Sequence, residues 1–115
     1  ILSGDQIVSY IAREFNACRI VIGVDVDGLY DADPKEAKDA KLYGHLTLRD
    51  LQDVQGNLGK STAADVTGGM LGKITELIPA IEEGIPVTIV NAAKPNCIYN
   101  ALIGERVEGT IIKKE

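Results

Sequence analysis

The sequence predicts an α/β fold, a three-layer αβα sandwich in which a mainly parallel sheet lies between helices. Helical and strand-like segments alternate along the chain, the order that produces parallel strands joined by helical crossovers. The strand-like segments are runs of β-branched residues without polar alternation, which is typical of strands buried on both faces. The length of 115 residues fits one domain spanning residues 1–115.

The first predicted element is a helix from about Gly4 to Phe15. Ser3 and Gln6 have the spacing of a capping box, which satisfies the free backbone N–H groups of a helix start. One face of the helix is apolar and is expected to join the core. The residues on this face are Ile7, Val8, Ile11, Ala12 and Phe15.

The remaining elements follow from the same kind of pattern. A strand is predicted at Arg19–Val26. The pattern is weaker within residues 41–60, where short strand or helix pieces are expected around Leu42–Leu46 and Thr47–Asp53. A second helix should follow Thr67 as its N-cap and end at Gly84, with a kink at Pro79. The last three elements are a strand at Ile85–Val90, a helix at Pro95–Ile103 and a strand at Thr110–Ile112.

Composition narrows the function classes. The net charge is -5 and the cationic residues are scattered, so nucleic acid is not an expected partner. No run approaches the roughly 18 apolar residues of a membrane span, and we expect a cytoplasmic protein. Cys18 and Cys97 lack metal-ligand spacing and are expected to be buried and reduced. The absence of an initial Met leads us to expect that the chain is part of a longer protein.

A phosphate site is one interpretation of the segment Thr67–Lys73, which reads TGGMLGK. Glycines at a helix start let the backbone approach a phosphate, and free N–H groups with the helix dipole favour an anion. Lys73 lies one turn further along and can reach back toward the same phosphate. The alternative is an ordinary glycine-rich helix entry with a surface lysine.

A nucleotide-lining loop is one interpretation of the acidic segment Asp25–Lys35, which follows a predicted strand. Its carboxylates could accept hydrogen bonds from ribose hydroxyls, whereas the simpler alternative is a tight turn whose aspartates bond their own backbone. A calcium loop is excluded because Tyr30 occupies the position that requires Gly. Two other features carry no site: Gly59–Thr62 lacks the earlier glycine of a P-loop, and His45 lacks a partner at ligand spacing.

Taken in order, four segments resemble the C-terminal half of the amino acid kinase family. They are ILSGDQIV, VDVDGLYDADPK, DVTGGMLGK and ALIGERVEGTII, and the resemblance spans essentially the whole chain. It implies a carbamate kinase-like fold of which this chain supplies the C-terminal, nucleotide-binding portion. The first and third segments look most like family members that use ATP to phosphorylate a small isoprenoid phosphate.

The resemblance also implies roles for individual residues. Asp5 and Lys73 would be catalytic, Gly4 would lie beside the phosphate acceptor, and Gly69 with Lys73 would hold the ATP phosphates. The residues implied to line the nucleotide are Asp25, Tyr30, Asp31, Ala32, Asp33, Pro34 and Lys35. Magnesium would bridge the phosphates, without an assigned protein ligand, and the intact protein would be a homodimer.

Two departures from the family pattern limit these expectations. Val24 stands where the family usually has Thr or Ser, so no hydroxyl contact is expected there. The family's first glycine-rich loop with its lysine, and its acceptor histidine, belong to an N-terminal half outside this chain, which is therefore expected to be inactive alone. Kinases acting on glutamate, aspartate, carbamate or UMP, and a non-catalytic nucleotide-sensing module, remain alternatives.

Overall fold

The computed structural model describes residues 4–31, 38–51 and 70–115, and the structural statements below concern these residues. The predicted alternation of helices and strands is confirmed within them. The elements are α1 (Gly4–Glu14), β1 (Ile20–Val24), β2 (His45–Thr47), α2 (Met70–Glu82), β3 (Val87–Asn91), α3 (Cys97–Leu102) and β4 (Gly109–Lys113).

The described strands form one mixed sheet in the order β1-β3-β4-β2. β1 pairs with β3 in parallel, with Val24 opposite Asn91, and β2 pairs with β4 in parallel. β3 and β4 are antiparallel, with Val90 opposite Gly109. The sheet is therefore mainly parallel, as predicted. The carboxyl ends of β1 and β3 and the amino end of β4 share one border of the sheet, which we call the carboxyl edge.

The main core lies between α2 and one face of the sheet. Leu77 and Ile81 of α2 are fully buried in the same cluster as Val87 and Ile89, which alternate along β3 and so share a face. α3 lies against β1 and β3, and a Cβ atom added to Gly23 would lie 3.0 Å from Ile98 Cδ1. Burial of these aliphatic side chains supplies the main stabilisation of the described fold.

The prediction that the apolar face of α1 joins the core is confirmed for Ala12 and wrong for the other residues of that face. Within α1 the buried residues are Ser9 and Ala12, whereas Ile7 and Ile11 are exposed and Phe15, just beyond the helix, is 80% exposed. The reason is that α1 packs against α2 rather than directly on the sheet, and the small side chains form its buried side. A groove of about 710 Å³ runs between α1 and α2.

Several smaller predictions can also be compared with the structure. Cys18 is exposed, so the expectation of burial is wrong there, because the residue lies in the loop between α1 and β1. His45 is exposed on β2. Pro79 lies inside α2, where a kink stays a prediction. Among the described helices, none has the length and apolar character required to cross a membrane.

Residues 45–51 show both pieces expected in the weakly patterned region. β2 is followed by a helical turn at residues 48–51, and Thr47 with Asp50 forms its cap. The Thr47 N–H donates to Asp50 Oδ2 at 3.0 Å, and the Asp50 N–H donates to Thr47 Oγ1 at 3.2 Å. The backbone hydrogen bond from Thr47 holds the pKa of Asp50 below its ordinary value.

Thr110 on β4 ties the chain that follows β1 to the sheet. The Leu29 N–H donates to Thr110 Oγ1 at 2.8 Å, and this hydroxyl donates to the Tyr43 carbonyl at 2.5 Å. Leu29 and Thr110 are fully buried. A Cβ atom on Gly28 would lie 2.5 Å from the same Oγ1, so this close approach requires glycine.

Replacing Thr110 with Val should therefore destabilise the protein. The buried Leu29 N–H and the Tyr43 carbonyl would lose their partner, at a cost of about 1–3 kcal/mol. The free energy of unfolding in urea measures this loss. Thr88→Val, at a similarly buried threonine on β3 outside this network, should cost less; an equal loss for the two variants would contradict the role of the hydroxyl.

Candidate functional site

Several of the described polar side chains contact one another at the carboxyl edge of the sheet. α1 leads into β1 and α2 leads into β3 through short connections, so each helix runs back along the sheet and begins near this edge. Free N–H groups and the positive end of the helix dipole at two helix starts favour an anion. In open α/β sheets, ligands bind outside the carboxyl ends of the strands.

Asp5 and Lys73 face each other across the starts of α1 and α2. Lys73 Nζ lies 3.4 Å from Asp5 Oδ2, although the two residues are 68 positions apart in the sequence. The Asp5 side chain is 19% exposed and that of Lys73 is 47% exposed, so the ammonium is open to a ligand. Gly4 lies exposed beside them, and a Cβ atom added to it would meet nothing within 4 Å apart from its chain neighbours and its own helix backbone.

The segment that follows β1 is held in place by backbone pairing with residues 41–43. The Tyr43 N–H donates to the Leu29 carbonyl at 2.8 Å, and the Asp31 N–H donates to the Lys41 carbonyl at 3.0 Å. Asp31 Oδ1 accepts a further hydrogen bond, of 2.7 Å, from the Lys41 N–H. Asp25 and Asp31 are exposed and Tyr30 is half-buried at this edge.

Asp27 is the centre of a polar network at the same edge. Lys94 Nζ lies 2.8 Å from Asp27 Oδ1 and 3.2 Å from Glu108 Oε2. Asn91 Nδ2 donates to Asp27 Oδ1 at 3.3 Å, and the Tyr30 hydroxyl donates to Oδ2 at 3.4 Å. The hydrogen bond from Lys94 holds the pKa of Asp27 below its ordinary value, and burial raises the pKa of Tyr30.

Four members of this network, Asp27 and three others, were not individually predicted as site residues from the sequence. Asn91 is the last residue of β3, Lys94 lies between β3 and α3, and Glu108 directly precedes β4; no site role was predicted for these three. The sequence did contain one indication for Asn91, namely its position. It directly follows a predicted buried strand and must therefore lie at the carboxyl end of that strand. The partner Asp27 was recognisable only as part of the acidic segment.

Some of the predicted site residues lie outside the described residues. They are Ala32, Asp33, Pro34, Lys35 and Gly69. The structure brings Asp5 and Lys73 together and places Asp25, Tyr30 and Asp31 at the same edge. Convergence of Gly69 and Lys73 with the Tyr30–Lys35 bend on one ligand stays a prediction.

The side chains at this edge that could bind a metal ion are a few dispersed carboxylates. Among the described residues, no group of three or more His, Cys, Asp and Glu side chains could hold a metal ion. Magnesium commonly binds through one or two carboxylates together with substrate phosphates. Asp5 and Asp25 supply carboxylates at this edge, and that of Asp5 is paired with Lys73.

The fold and the edge define an α/β protein with a candidate ligand site that combines two helix starts, an ammonium group and an acidic segment. Many nucleotide and phosphate binders belong to this class. The model of the amino acid kinase family matches residues 1–91. The chain belongs to the amino acid kinase family.

Relatives of known activity agree with this assignment. The chain is 42% identical over 113 residues to isopentenyl phosphate kinase of Methanothermobacter thermautotrophicus, covering 97% of this chain and 41% of the relative. It is 31% identical over 107 residues to glutamate 5-kinase of Geobacter metallireducens, covering 93% of this chain and 28% of the relative. The chain thus spans less than half the length of these relatives.

Solved structures show the same fold. An X-ray structure of isopentenyl phosphate kinase superposes with a TM-score of 0.71 at 35% identity, covering 96% of this chain and 36% of that one. The UMP kinase of Bacillus anthracis superposes with a TM-score of 0.75 at 25% identity, covering 100% of this chain and 42% of that one. The predicted amino acid kinase fold is confirmed.

The Asp27 network should make stability depend on pH. The folded-state pKa of Asp27 is lowered, so its stabilising contribution is complete above the ordinary value of 3.8 and is lost as the pH falls through the folded-state pKa. We expect Asp27→Asn to lower the free energy of unfolding by about 1 kcal/mol at pH 7. This deficit should shrink below pH 3.8.

Urea unfolding of wild type and variant at pH 7 and at successively lower pH checks this expectation. Asp39→Asn removes a carboxylate at an exposed position and serves as the matched control. A deficit for Asp27→Asn that stays constant on acidification would show that the charge of Asp27 does not stabilise the fold.

Proposed function

We propose that the protein containing this chain is an ATP-dependent kinase that converts isopentenyl phosphate to isopentenyl diphosphate in isoprenoid biosynthesis. In this proposal the chain supplies the ATP site. The observation that carries the kinase activity is the Asp5–Lys73 pair at the two helix starts. The choice of acceptor is supported by the 42% identity to the Methanothermobacter isopentenyl phosphate kinase.

The pair suits phosphoryl transfer because that reaction is catalysed mainly by positioning and by electrostatic stabilisation. The exposed ammonium of Lys73 would contact the ATP phosphates together with Gly69 and neutralise charge on the transferred group. Asp5, paired with Lys73 in the structure, would orient the ammonium. Gly4, with open space around it, would leave room for the acceptor phosphate.

The acidic segment after β1 would bind the nucleoside part of ATP. Its exposed carboxylates at Asp25 and Asp31 can accept hydrogen bonds from ribose hydroxyls. The proposed lining is completed by Tyr30, Ala32, Asp33, Pro34 and Lys35. Magnesium, carried mainly by the triphosphate, would supply positive charge to the phosphate oxygens during transfer.

The remainder of the kinase would belong to a longer protein. The relatives are more than twice the length that this chain covers, and the exposed apolar side chains of α1 are a surface that further protein can cover. We propose that this further part binds the acceptor and that the intact protein is a cytoplasmic homodimer.

Lys73→Ala in the intact protein should reduce kcat/KM for ATP by about 100-fold or more, because one preorganised charge on the transition state is lost. Steady-state kinetics measures this effect, and the melting temperature should change little because the Lys73 side chain is half exposed. Lys38→Ala, at an exposed lysine outside the proposed site, is the control. Equal kinetics for wild type and Lys73→Ala would show that Lys73 does not contribute to catalysis, and the Asp5–Lys73 pair would no longer support the proposed kinase activity.

The acceptor is tested by offering isopentenyl phosphate, UMP, glutamate, aspartate and carbamate to the intact protein with ATP. We expect isopentenyl phosphate to have the highest kcat/KM, by about 100-fold or more, because acceptor recognition depends on specific polar contacts. The 115-residue chain alone should show no turnover. A preference for UMP or glutamate would support the second candidate, another kinase of the family, which the similarity to UMP kinase and glutamate 5-kinase favours.

Phosphate transfer to none of these acceptors, with ATP still bound, would instead indicate a nucleotide-sensing module. Calorimetric titration with ATP distinguishes that outcome from a protein that does not bind ATP.

A further inference from the structure

Lys94 joins three segments of the chain at the carboxyl edge. It lies in the connection between β3 and α3, and its ammonium contacts Asp27 after β1 and Glu108 before β4. Both carboxylates lie within 3.2 Å of Nζ, and each raises the pKa of Lys94, Asp27 more than Glu108. The lysine therefore stays charged throughout the neutral range.

Asn91 fixes the backbone from which Lys94 extends. Asn91 Oδ1 accepts a hydrogen bond of 2.9 Å from the Ala93 N–H, and the Lys94 N–H donates to the Asn91 carbonyl at 3.2 Å. The Ala92 N–H donates to the Val24 carbonyl at 2.8 Å, which continues the pairing of β1 and β3 into the loop. The base of the Lys94 side chain is thus held by the sheet.

Asp27, whose carboxylate contacts Lys94, is the first residue of the segment Asp27–Asp31. This segment leads into the residues that are proposed to line the nucleotide. Three residues beyond Asp27, the Tyr30 hydroxyl donates to Asp27 Oδ2 at 3.4 Å. The intervening Leu29 N–H is held separately, by the Thr110 hydroxyl of β4. Replacing Lys94 would therefore affect the position of Tyr30 only through the Asp27 carboxylate. The hydrogen bond between the Leu29 N–H and Thr110 would remain.

We propose that Lys94 is a positioning residue that holds the Asp27–Asp31 segment in the conformation that binds the nucleoside part of ATP. This inference rests on the proposed ATP site. Lys94 acts through Asp27 and Tyr30 and does not take part in phosphoryl transfer. Its side chain is 42% exposed, so its ion pairs contribute only modestly to global stability and most of the effect of removing them is local.

The test compares Lys94→Met, Lys94→Arg and Arg13→Met in the intact protein. Lys94→Met keeps most of the side-chain length without the charge and should raise KM for ATP about fivefold with kcat nearly unchanged, the pattern of lost uniform binding. Lys94→Arg should restore most of the affinity. Arg13→Met removes a similarly exposed ion pair, to Glu83, that joins α1 to the end of α2, and should leave KM unchanged.

Two further measurements separate positioning from folding. The melting temperature of Lys94→Met should stay within about 3 °C of wild type, as expected for a partly exposed pair. Glu108→Gln removes the second carboxylate but leaves the Asp27 contact, so it should raise KM less than Lys94→Met. This variant keeps the proposal testable if Lys94→Met does not fold.

The possible outcomes distinguish this proposal from the proposed function. Calorimetric titration with ATP should give a weaker Kd for Lys94→Met by the same factor as KM, whichever acceptor the protein uses. Tight ATP binding by wild type with an unchanged Kd for Lys94→Met would overturn the positioning role and leave the kinase proposal standing. Failure of wild type to bind ATP would overturn both.

Discussion

The parallel pairing of β1 with β3 is the constraint on which the site depends. Because Ile20 lies opposite Val87 and Val24 opposite Asn91, the two strands end side by side. The segments that leave these strands, Asp25–Asp31 and Asn91–Lys94, then meet at one edge. Buried residues of α2 against β3 hold this arrangement, so the polar contacts of the edge rest on an apolar core.

The site has two parts that depend on the core in different ways. The Asp5–Lys73 pair is positioned by the packing of α1 on α2, which brings the starts of the two helices together. The Asp27 network is positioned by the sheet, through Asn91 on β3 and Thr110 on β4. Two structural layers thus contribute separately to one edge, which is how such folds bring distant residues to a common ligand.

The exposed apolar side chains of α1 are relevant to the extent of the whole protein. A helix that buries Ser9 and Ala12 but exposes Ile7, Ile11 and the following Phe15 has more apolar surface than its own packing uses. The family relatives extend well beyond the length that this chain covers. Both observations support the proposal that an acceptor-binding part packs on this side, and neither depends on the identity of the acceptor.

Local pattern was sufficient to predict the helices, most of the strands, the fold class and the Lys73 candidate, because strand propensity, helical spacing and glycines at a helix start act within a few residues. Asp5 was predicted as a site residue only through the resemblance to the amino acid kinase family. It was not sufficient to predict which side of α1 is buried, since that depends on the neighbour against which the helix packs. Tertiary structure also decided the roles of Asn91, Lys94 and Glu108. Their contacts with Asp27 join residues 64 or more positions apart or are relayed through Lys94, and only strand order brings such residues together.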